Sequence, residues 1–248
     1  IPDETTQAAI LSALSDHPAN VVSVEKKKKS RSPAAPFTTS TLQQEAVRKL
    51  GMTTDRTMRT AQQLYEGVDI GSGTVGLITY MRTDSVALAA EALTEIRHYI
   101  EKNFTGDYLP KAPVAFKNKA KNAQEAHEAI RPTSIYRTPE SVKPFLTAEQ
   151  FKLYDMVWKR TLACQMTPAK FDTTSVDIAV GGELSLFRAG GQILVFPGFI
   201  TVYQEDVDDS DDEGDAKLPV LEAGDVLPVD KLTGEQHFTQ APPRFSEA

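Results

Sequence analysis

The residues best suited to chemistry are a tyrosine and an arginine two positions apart, Tyr80 and Arg82. In extended backbone, residues i and i+2 lie on one face, so the phenol and the guanidinium are predicted to point the same way. The apolar run over 75–81 predicts a strand, and Asp84 or Ser85 is a good N-cap for a helix that follows at once. A phosphate bound there would meet a phenol, a guanidinium and the positive end of a helix dipole.

This combination of groups suits a temporary break in a phosphodiester chain. A phenol has a reference pKa of about 10, so about one in a thousand is ionised at pH 7. A nearby cation stabilises the phenolate and the charge that grows on the phosphate. The ester formed keeps the energy of the broken bond, so the displaced hydroxyl can reseal it without ATP. From spacing alone, the alternative is that Tyr80 is packing and Arg82 an ordinary surface cation.

Two short helices joined by a tight turn precede this segment. Helical periodicity over 42–50 is bounded by Thr41 as N-cap and Gly51 as C-cap. A second helix begins after Thr53 or Thr54 and runs for about three turns. With the strand that follows, this order predicts a winged helix. Many helix pairs turn at glycine without touching DNA, so the pattern alone leaves the function open.

Further helices are predicted after the tyrosine. Asp84 or Ser85 begins one over about 86–100, where apolar residues recur at helical spacing. Thr147 begins another, with Gln150 completing a capping box.

The two ends of the chain are predicted to be β-rich. At the N-terminal end, a short amphipathic helix leads to an extended stretch and the basic run Lys26–Lys29. At the C-terminal end, alternating segments bounded by glycine pairs predict strands and tight hairpins. The predicted strands are 173–180, 184–189, 192–196 and 225–232, and the predicted hairpins lie at Gly181-Gly182 and Gly190-Gly191. This arrangement permits one β domain to be interrupted by a helical one.

Composition restricts the class of protein. The single cysteine, Cys164, excludes an internal disulfide framework and suits a reducing cytoplasm. No apolar run approaches the roughly 20 residues that cross a bilayer. The net charge of −7 does not exclude a nucleic-acid partner, because eight acids between 205 and 215 account for more than all of it. We interpret that run as a solvated loop; the alternative is a strand that mimics DNA.

The ten residues Gly76–Ser85 resemble the active-site segment of type IA DNA topoisomerases. Met81 and the Thr83-Asp84-Ser85 sequence are similar to the bacterial topoisomerase I branch. Other segments match in the family's order: Ala35–Gln44, Ala61–Gly67, Ala126–Pro132, Cys164–Ala169 and Pro243–Ala248. Since six segments match in order along nearly the whole chain, it is identified as a member of this family.

The resemblance implies a role for each site residue. Tyr80 is the nucleophile that becomes linked to a 5′ phosphate, and Arg82 positions Tyr80 and the scissile phosphate. His127 corresponds to a histidine near the active site that contacts DNA or phosphate. Further DNA- or phosphate-binding candidates are Arg131, Thr83 and Asp84, and for Asp84 a capping role stays equally open. No metal ligand is expected in this chain.

The resemblance also implies an α+β multidomain architecture. A mostly helical winged-helix domain over 40–166 carries the tyrosine, inserted into an antiparallel β-rich arch domain made of 1–39 and 167–248. The family builds its cleavage site between domains, so the Mg²⁺-binding N-terminal domain and a C-terminal domain are expected elsewhere in the same polypeptide.

The implied activity is ATP-independent relaxation of negatively supercoiled DNA through a single-strand break. The isolated chain should lack this activity, because the metal-binding side of the site is missing from it. The expected state is a monomer in the bacterial cytoplasm, associated with the nucleoid and not with a membrane.

Two other functions remain open from the residues. One is a binding module, a winged helix that uses Lys26–Lys29, Arg56, Arg59 and Arg82 on phosphates while Tyr80 is packed. It predicts salt-sensitive DNA affinity and no covalent adduct. The other is a structural scaffold with negligible DNA affinity, which the overall acidity would suit.

Overall fold

The computed structural model describes residues 3–15, 17–117, 127–181, 185–204 and 218–238. The acidic run at 205–215 and the Pro243–Ala248 motif lie outside the described residues. The described part of the chain divides into two compact units. The β unit comprises 3–30, 170–196 and 218–238, and the helical unit comprises 31–169 and 197–204.

The regular elements follow in chain order. The helices are α1 (Glu4–Leu14), α2 (Thr39–Leu50), α3 (Thr54–Glu66), α4 (Ala90–Asn103), α5 (Pro139–Val142) and α6 (Ala148–Ala163). The strands are β1 (Ala19–Arg31), β2 (Val68–Asp69), β3 (Thr74–Val75), β4 (Ala169–Val180), β5 (Ser185–Phe196) and β6 (Val226–Leu227). Short 3₁₀ turns lie at Gly106–Tyr108, Lys143–Phe145 and Gly198–Thr201.

The β unit is a four-stranded sheet in the order β5-β4-β1-β6, with α1 packed on it. β4 and β5 are antiparallel, as are β1 and β6. Its core joins the end of α1 to the strands through Leu14, Ala19 and Val180, with Ile10, Ile178 and Leu227 around them. The Arg188 guanidinium donates a hydrogen bond of 2.7 Å to Asp177 across the β4–β5 pair and holds the pKa of that carboxyl below its ordinary value.

Two predictions for the β unit are wrong. No hairpin forms at Gly190-Gly191, because these glycines pair in register with Ser175 and Thr174 and keep an ordinary φ, so β5 runs straight through them. The strand predicted over 225–232 is reduced to β6. At the hairpin predicted at Gly181-Gly182, Gly181 is a turn residue with φ +69° after the end of β4, and Gly182 lies outside the described residues. The α+β class with an antiparallel sheet is thus confirmed.

The helical unit begins with two capped helices. Gly51 ends α2 with φ +62°, as predicted, and Thr53 caps α3. The predicted N-cap at Thr41 is wrong, since the Thr38 side chain accepts from the Thr41 amide and the Thr41 hydroxyl accepts from the Thr38 amide. This capping box starts α2 three residues earlier. The short hairpin of β2 and β3 follows α3.

Helix α6 forms the centre of the helical unit. Thr147 and Gln150 form the predicted capping box at its start. Trp158 donates its indole N–H to the Ile135 carbonyl at 2.9 Å, and the Tyr154 hydroxyl donates to the Arg137 carbonyl at 2.7 Å. Burial raises the pKa of Tyr154 well above its ordinary value. It also raises the pKa of the Cys164 thiol to about 12, so this cysteine is an inert core residue. In the described ranges, no helix is long and apolar enough to cross a membrane.

Gly51 provides a test of the turn between α2 and α3. A Cβ at this position would meet nothing within 4 Å, so Gly51→Ala adds only the cost of a left-handed backbone, about 1 kcal/mol. We expect urea unfolding, followed by the fluorescence of the single tryptophan, to show this loss. Gly106→Ala is the control, because that glycine has open space and an ordinary φ. Equal effects of the two substitutions would contradict the assignment of strain to Gly51.

Candidate active site

Tyr80 lies on a segment outside the helices and strands, 76–87, which we call the tyrosine segment. The prediction of a strand over 75–81 is wrong beyond Val75, where β3 ends. Among the described residues, the tyrosine segment has one isolated bridge, between Ile78 and Pro132, instead of a continuous partner strand. Its backbone hydrogen bonds go to loops and to helix ends and not to a strand. The local pattern of apolar residues is the same in both cases, so the sequence could not distinguish this segment from a strand.

One side of the tyrosine segment is bound to a loop at 129–133. The Thr79 amide donates to the Arg131 carbonyl at 2.9 Å, and the Thr133 amide donates to the Leu77 carbonyl at 2.9 Å. The Thr79 hydroxyl donates to the Ala129 carbonyl at 2.7 Å and accepts from the Arg131 amide at 3.0 Å. The residue immediately before Tyr80 is therefore fixed by its backbone and by its side chain.

The other side is bound to the start of α2. The Thr39 amide donates to the Thr83 carbonyl at 2.9 Å. The Thr39 hydroxyl donates to the Met81 carbonyl at 2.8 Å and accepts from the Thr83 amide at 2.8 Å. The Phe37 carbonyl also accepts from the Ile130 amide at 2.8 Å. The residues at the start of α2, the 129–133 loop and the tyrosine segment are thus each hydrogen-bonded to the other two.

Side chains along the tyrosine segment alternate between solvent and interior. The exposed residues are Tyr80, Arg82 and Asp84, and the buried ones are Met81, Thr83 and Ser85. Tyr80 has 46% of its surface exposed. Tyr80 and Arg82 are therefore both exposed, on either side of the buried Met81, where the backbone bends.

Tyr80 has an aromatic neighbour on α3. The rings of Tyr65 and Tyr80 meet edge to face, with centroids 5.3 Å apart and planes at 62°. Tyr65 is itself 40% exposed. The Leu77 amide donates to the Leu64 carbonyl at 2.7 Å, so the backbone beside Tyr65 is fixed to the tyrosine segment. The contact orients the ring of Tyr80 while leaving part of it open to solvent.

The predicted helix start beside the tyrosine is wrong. Helix α4 begins at Ala90, after Ala89, and neither Asp84 nor Ser85 caps it. The polar side chains that predicted a cap bind the local backbone instead: the Thr83 hydroxyl accepts from the Ser85 amide at 3.0 Å and the Ser85 hydroxyl from the Ala87 amide at 3.1 Å. No helix therefore begins at Asp84. The positive charge near Tyr80 is that of side chains and not that of a helix dipole.

The other predicted site residues differ in how available they are. His127 is exposed and lies two residues before Ala129, which is bonded to Thr79. The Arg131 side chain is only 15% exposed and is committed to Glu128, at 2.5 Å, and to the Pro132 carbonyl, at 2.9 Å. Thr83 is buried and holds local backbone, whereas Asp84 is exposed.

Arginines on α3 are engaged by carboxylates. Arg56 forms a two-nitrogen ion pair with Glu149, which holds the pKa of Glu149 below its ordinary value. Arg59 pairs with Asp55 at 2.5 Å, one turn earlier on α3. The binding-module hypothesis uses both arginines to bind phosphates, whereas here each of them is already paired with a carboxylate.

Sequence reasoning missed Tyr65, Thr39 and Thr79. All three lie in or beside segments that carry the family resemblance, but no local pattern distinguishes a threonine that bridges two loops from one that caps a helix. The described residues contain no cluster of three or more His, Cys, Asp or Glu side chains that could hold a metal.

Comparisons with known proteins show the family to which the chain belongs. The sequence profile of the DNA topoisomerase family matches residues 1–248. A DNA topoisomerase 1 of Xylella fastidiosa is 54% identical over 234 residues, and one of Rickettsia felis is 50% identical over 229 residues. Each match covers 92% of this chain, but 28% and 30% of those relatives.

A solved structure of full-length topoisomerase I from Thermotoga maritima matches with a TM-score of 0.74 and 34% identity. The match covers 91% of this chain and 34% of that protein. The chain therefore belongs to the DNA topoisomerase family, and these relatives are named DNA topoisomerase 1 or topoisomerase I. It spans about a third or less of the length of the relatives that it matches.

Gly76 tests the packing beneath the tyrosine. A Cβ on Gly76 would lie 2.6 Å from the Tyr65 carbonyl, so α3 or the tyrosine segment must move. We expect Gly76→Ala to lower the free energy of unfolding by about 1–3 kcal/mol, as overpacking does. The measurement is urea unfolding beside Gly106→Ala, whose Cβ meets nothing within 4 Å. A Gly76→Ala protein as stable as this control would contradict the close approach.

Proposed function

We propose that Tyr80 is the nucleophile of a type IA DNA topoisomerase reaction and that Arg82 stabilises the phosphate that it attacks. The observation that carries the proposal is an exposed phenol and an exposed guanidinium two residues apart, on a segment that is hydrogen-bonded to the start of α2 and to the 129–133 loop. Membership of the DNA topoisomerase family supports this choice of reaction.

The proposed step is a transesterification. The phenolic oxygen of Tyr80 forms a bond to phosphorus while the bond between phosphorus and the 3′ oxygen breaks. The phenol loses its proton and the departing 3′ oxygen gains one, so charge and electrons balance. The product is a 5′-phosphotyrosine, and attack by the same 3′ hydroxyl reverses the step. No ATP is needed, because the ester keeps the energy of the original bond.

Arg82 supplies positive charge where the phosphate gains negative charge. Such electrostatic stabilisation is often the largest single contribution to catalysis, about 10²–10³-fold for one donor. His127 is the second DNA-contacting group in the proposal, since it is exposed beside the loop that binds Thr79. Asp84 lies on the same exposed side as Arg82 and is the acid available to orient it. Thr83 and Arg131 contribute mainly by holding backbone, because they are largely buried and already bonded.

The domain architecture is part of the proposal. We infer that α2, α3 and the β2–β3 hairpin form the winged helix of a tyrosine domain over 40–166. The segments 1–39 and 167–248 would form the arch that joins this domain to the rest of the polypeptide. The arch would let the tyrosine domain move away after cleavage, so that a second strand of supercoiled DNA can pass.

Magnesium chemistry is assigned to residues outside this chain. The described residues offer no set of ligands for it, whereas the relatives are more than three times as long as the matched region. When bound, the ion would supply positive charge near the phosphates. Everything proposed here for Tyr80, Arg82 and His127 concerns binding and transfer by side chains of this chain.

The isolated chain should not relax DNA. With Mg²⁺ and negatively supercoiled plasmid, we expect no change in linking number on an agarose gel. A chimera that carries this chain in place of the matching region of the Xylella fastidiosa relative should restore relaxation. Relaxation by the isolated chain would contradict the proposal that the active site is shared with absent domains.

Tyr80→Phe tests the nucleophile in the same chimera. Single-stranded DNA labelled at its 3′ end is mixed with protein and Mg²⁺ and then denatured. Label should stay with the protein only when Tyr80 is present, because the 5′-linked fragment keeps the 3′ label. Tyr65→Phe is the matched control, since that ring lies 5.3 Å from Tyr80 and should leave the adduct intact.

The binding-module hypothesis predicts a different result. A folded chimera that binds single-stranded DNA in a salt-dependent way but captures no label would make Tyr80 a packing residue. A chimera that neither binds nor captures DNA would favour the structural scaffold. The ion pairs of Arg56 and Arg59 already argue against a surface specialised for phosphate binding on α3.

A further inference from the structure

We propose that the Thr39 hydroxyl is a positioning group that fixes the backbone of Arg82 and so aims its guanidinium beside Tyr80. This inference rests on the proposed function. It adds a residue on α2 that touches neither DNA nor the reacting atoms in the proposed step.

The geometry around Arg82 is the basis of the proposal. Two peptide groups flank the Arg82 Cα, one ending in the Met81 carbonyl and the other carrying the Thr83 amide. The Thr39 hydroxyl donates to that carbonyl at 2.8 Å and accepts from that amide at 2.8 Å. One oxygen atom therefore holds both peptide planes, which fixes φ and ψ of Arg82 between them.

Arg82 has reason to need this support. It is exposed on a segment that no continuous partner strand holds, and a long arginine side chain loses much rotamer freedom when it must stay in one place. Fixing its backbone means that the separate cost of ordering φ and ψ does not add to this loss when the phosphate arrives. A misplacement of about 1 Å at a reacting group can cost up to about 10²-fold in rate.

The bond pattern requires a side chain that both donates and accepts at one atom. Threonine and serine meet this requirement, whereas valine has the shape of threonine without either capacity. The Thr39 amide would still bind the Thr83 carbonyl in a valine variant, so α2 keeps its attachment to the tyrosine segment. The substitution therefore removes the hydrogen bonds of the hydroxyl while the fold is kept.

The experiment measures single-turnover formation of the covalent adduct in the chimera described above. We expect Thr39→Val to slow adduct formation about tenfold without a matching change in single-stranded DNA affinity. Thr39→Ser should restore the rate to within about twofold of the unmodified protein. The matched control is Thr94→Val, which removes a hydroxyl bond of 2.9 Å inside α4 and should leave the rate unchanged.

A double-mutant cycle separates positioning from general stability. If Thr39 acts through Arg82, Thr39→Val should add less than about twofold once Arg82→Ala is present. An equal slowing in both backgrounds would overturn the inference and assign the hydroxyl to the fold. Normal rates in Thr39→Val would overturn it as well.

The outcomes also distinguish the two levels of the proposal. Adducts formed at equal rates with and without the Thr39 hydroxyl refute the positioning role and leave the function of Tyr80 standing. Absence of any adduct from the unmodified chimera refutes the function, and the positioning role with it. If Thr39→Val fails to fold, the comparison of Thr39→Ser with Thr39→Cys replaces it, since a thiol is a weak donor and acceptor of similar size.

Discussion

The candidate site depends on hydrogen bonds that hold a segment of backbone outside any helix or strand. An exposed catalytic side chain needs a rigid support, and a lone extended segment has none of its own. Here the support comes from the start of α2 on one side and the 129–133 loop on the other. The two loops also bind each other, through the Phe37 carbonyl and the Ile130 amide. These hydrogen bonds fix the backbone of the tyrosine segment, while the side chains of Tyr80 and Arg82 stay exposed to solvent.

The loop that leads into α2 is itself anchored in the interior of the helical unit. Arg160 is buried on α6, donates to the Ala35 carbonyl at 2.6 Å, and places its guanidinium 4.8 Å from the centre of the Phe37 ring. Breaking a buried, hydrogen-bonded charge of this kind is costly, so the loop has a well-defined position. The path from α6 to Arg82 thus consists of buried contacts and backbone bonds, which suits a site that must keep its geometry while DNA moves.

Much of the fold could be predicted from the sequence, and the exceptions have identifiable causes. The caps at Gly51 and Thr147 were predictable because caps are local. The helix from Asp84 was not, because the Thr83 and Ser85 hydroxyls bind the local backbone instead. The strand over 75–81 was not either, because the partners of that segment lie far along the chain. The hairpin at Gly190-Gly191 failed for the same reason, since pairing with β4 outweighed the local turn preference of glycine.

For the site, the residues proposed to do chemistry were easier to find than those that support them. Tyr80 and Arg82 stand out by type, spacing and resemblance. Thr39 and Thr79 carry no such signal, because a threonine near a helix start is ordinarily a cap. Their role depends on loops that are about 40 to 50 residues apart in the sequence and meet only in the folded chain.

The most direct test of the central claim is to locate the DNA on the protein by mass spectrometry. Adducts from the chimera are digested with nuclease and trypsin, which leaves a nucleotide remnant on the peptide Thr60–Arg82. That peptide contains both Tyr65 and Tyr80, so its fragment ions distinguish two neighbouring phenols. We predict the phosphate on Tyr80 alone. A remnant on Tyr65, or on any residue outside the tyrosine segment, would contradict the account.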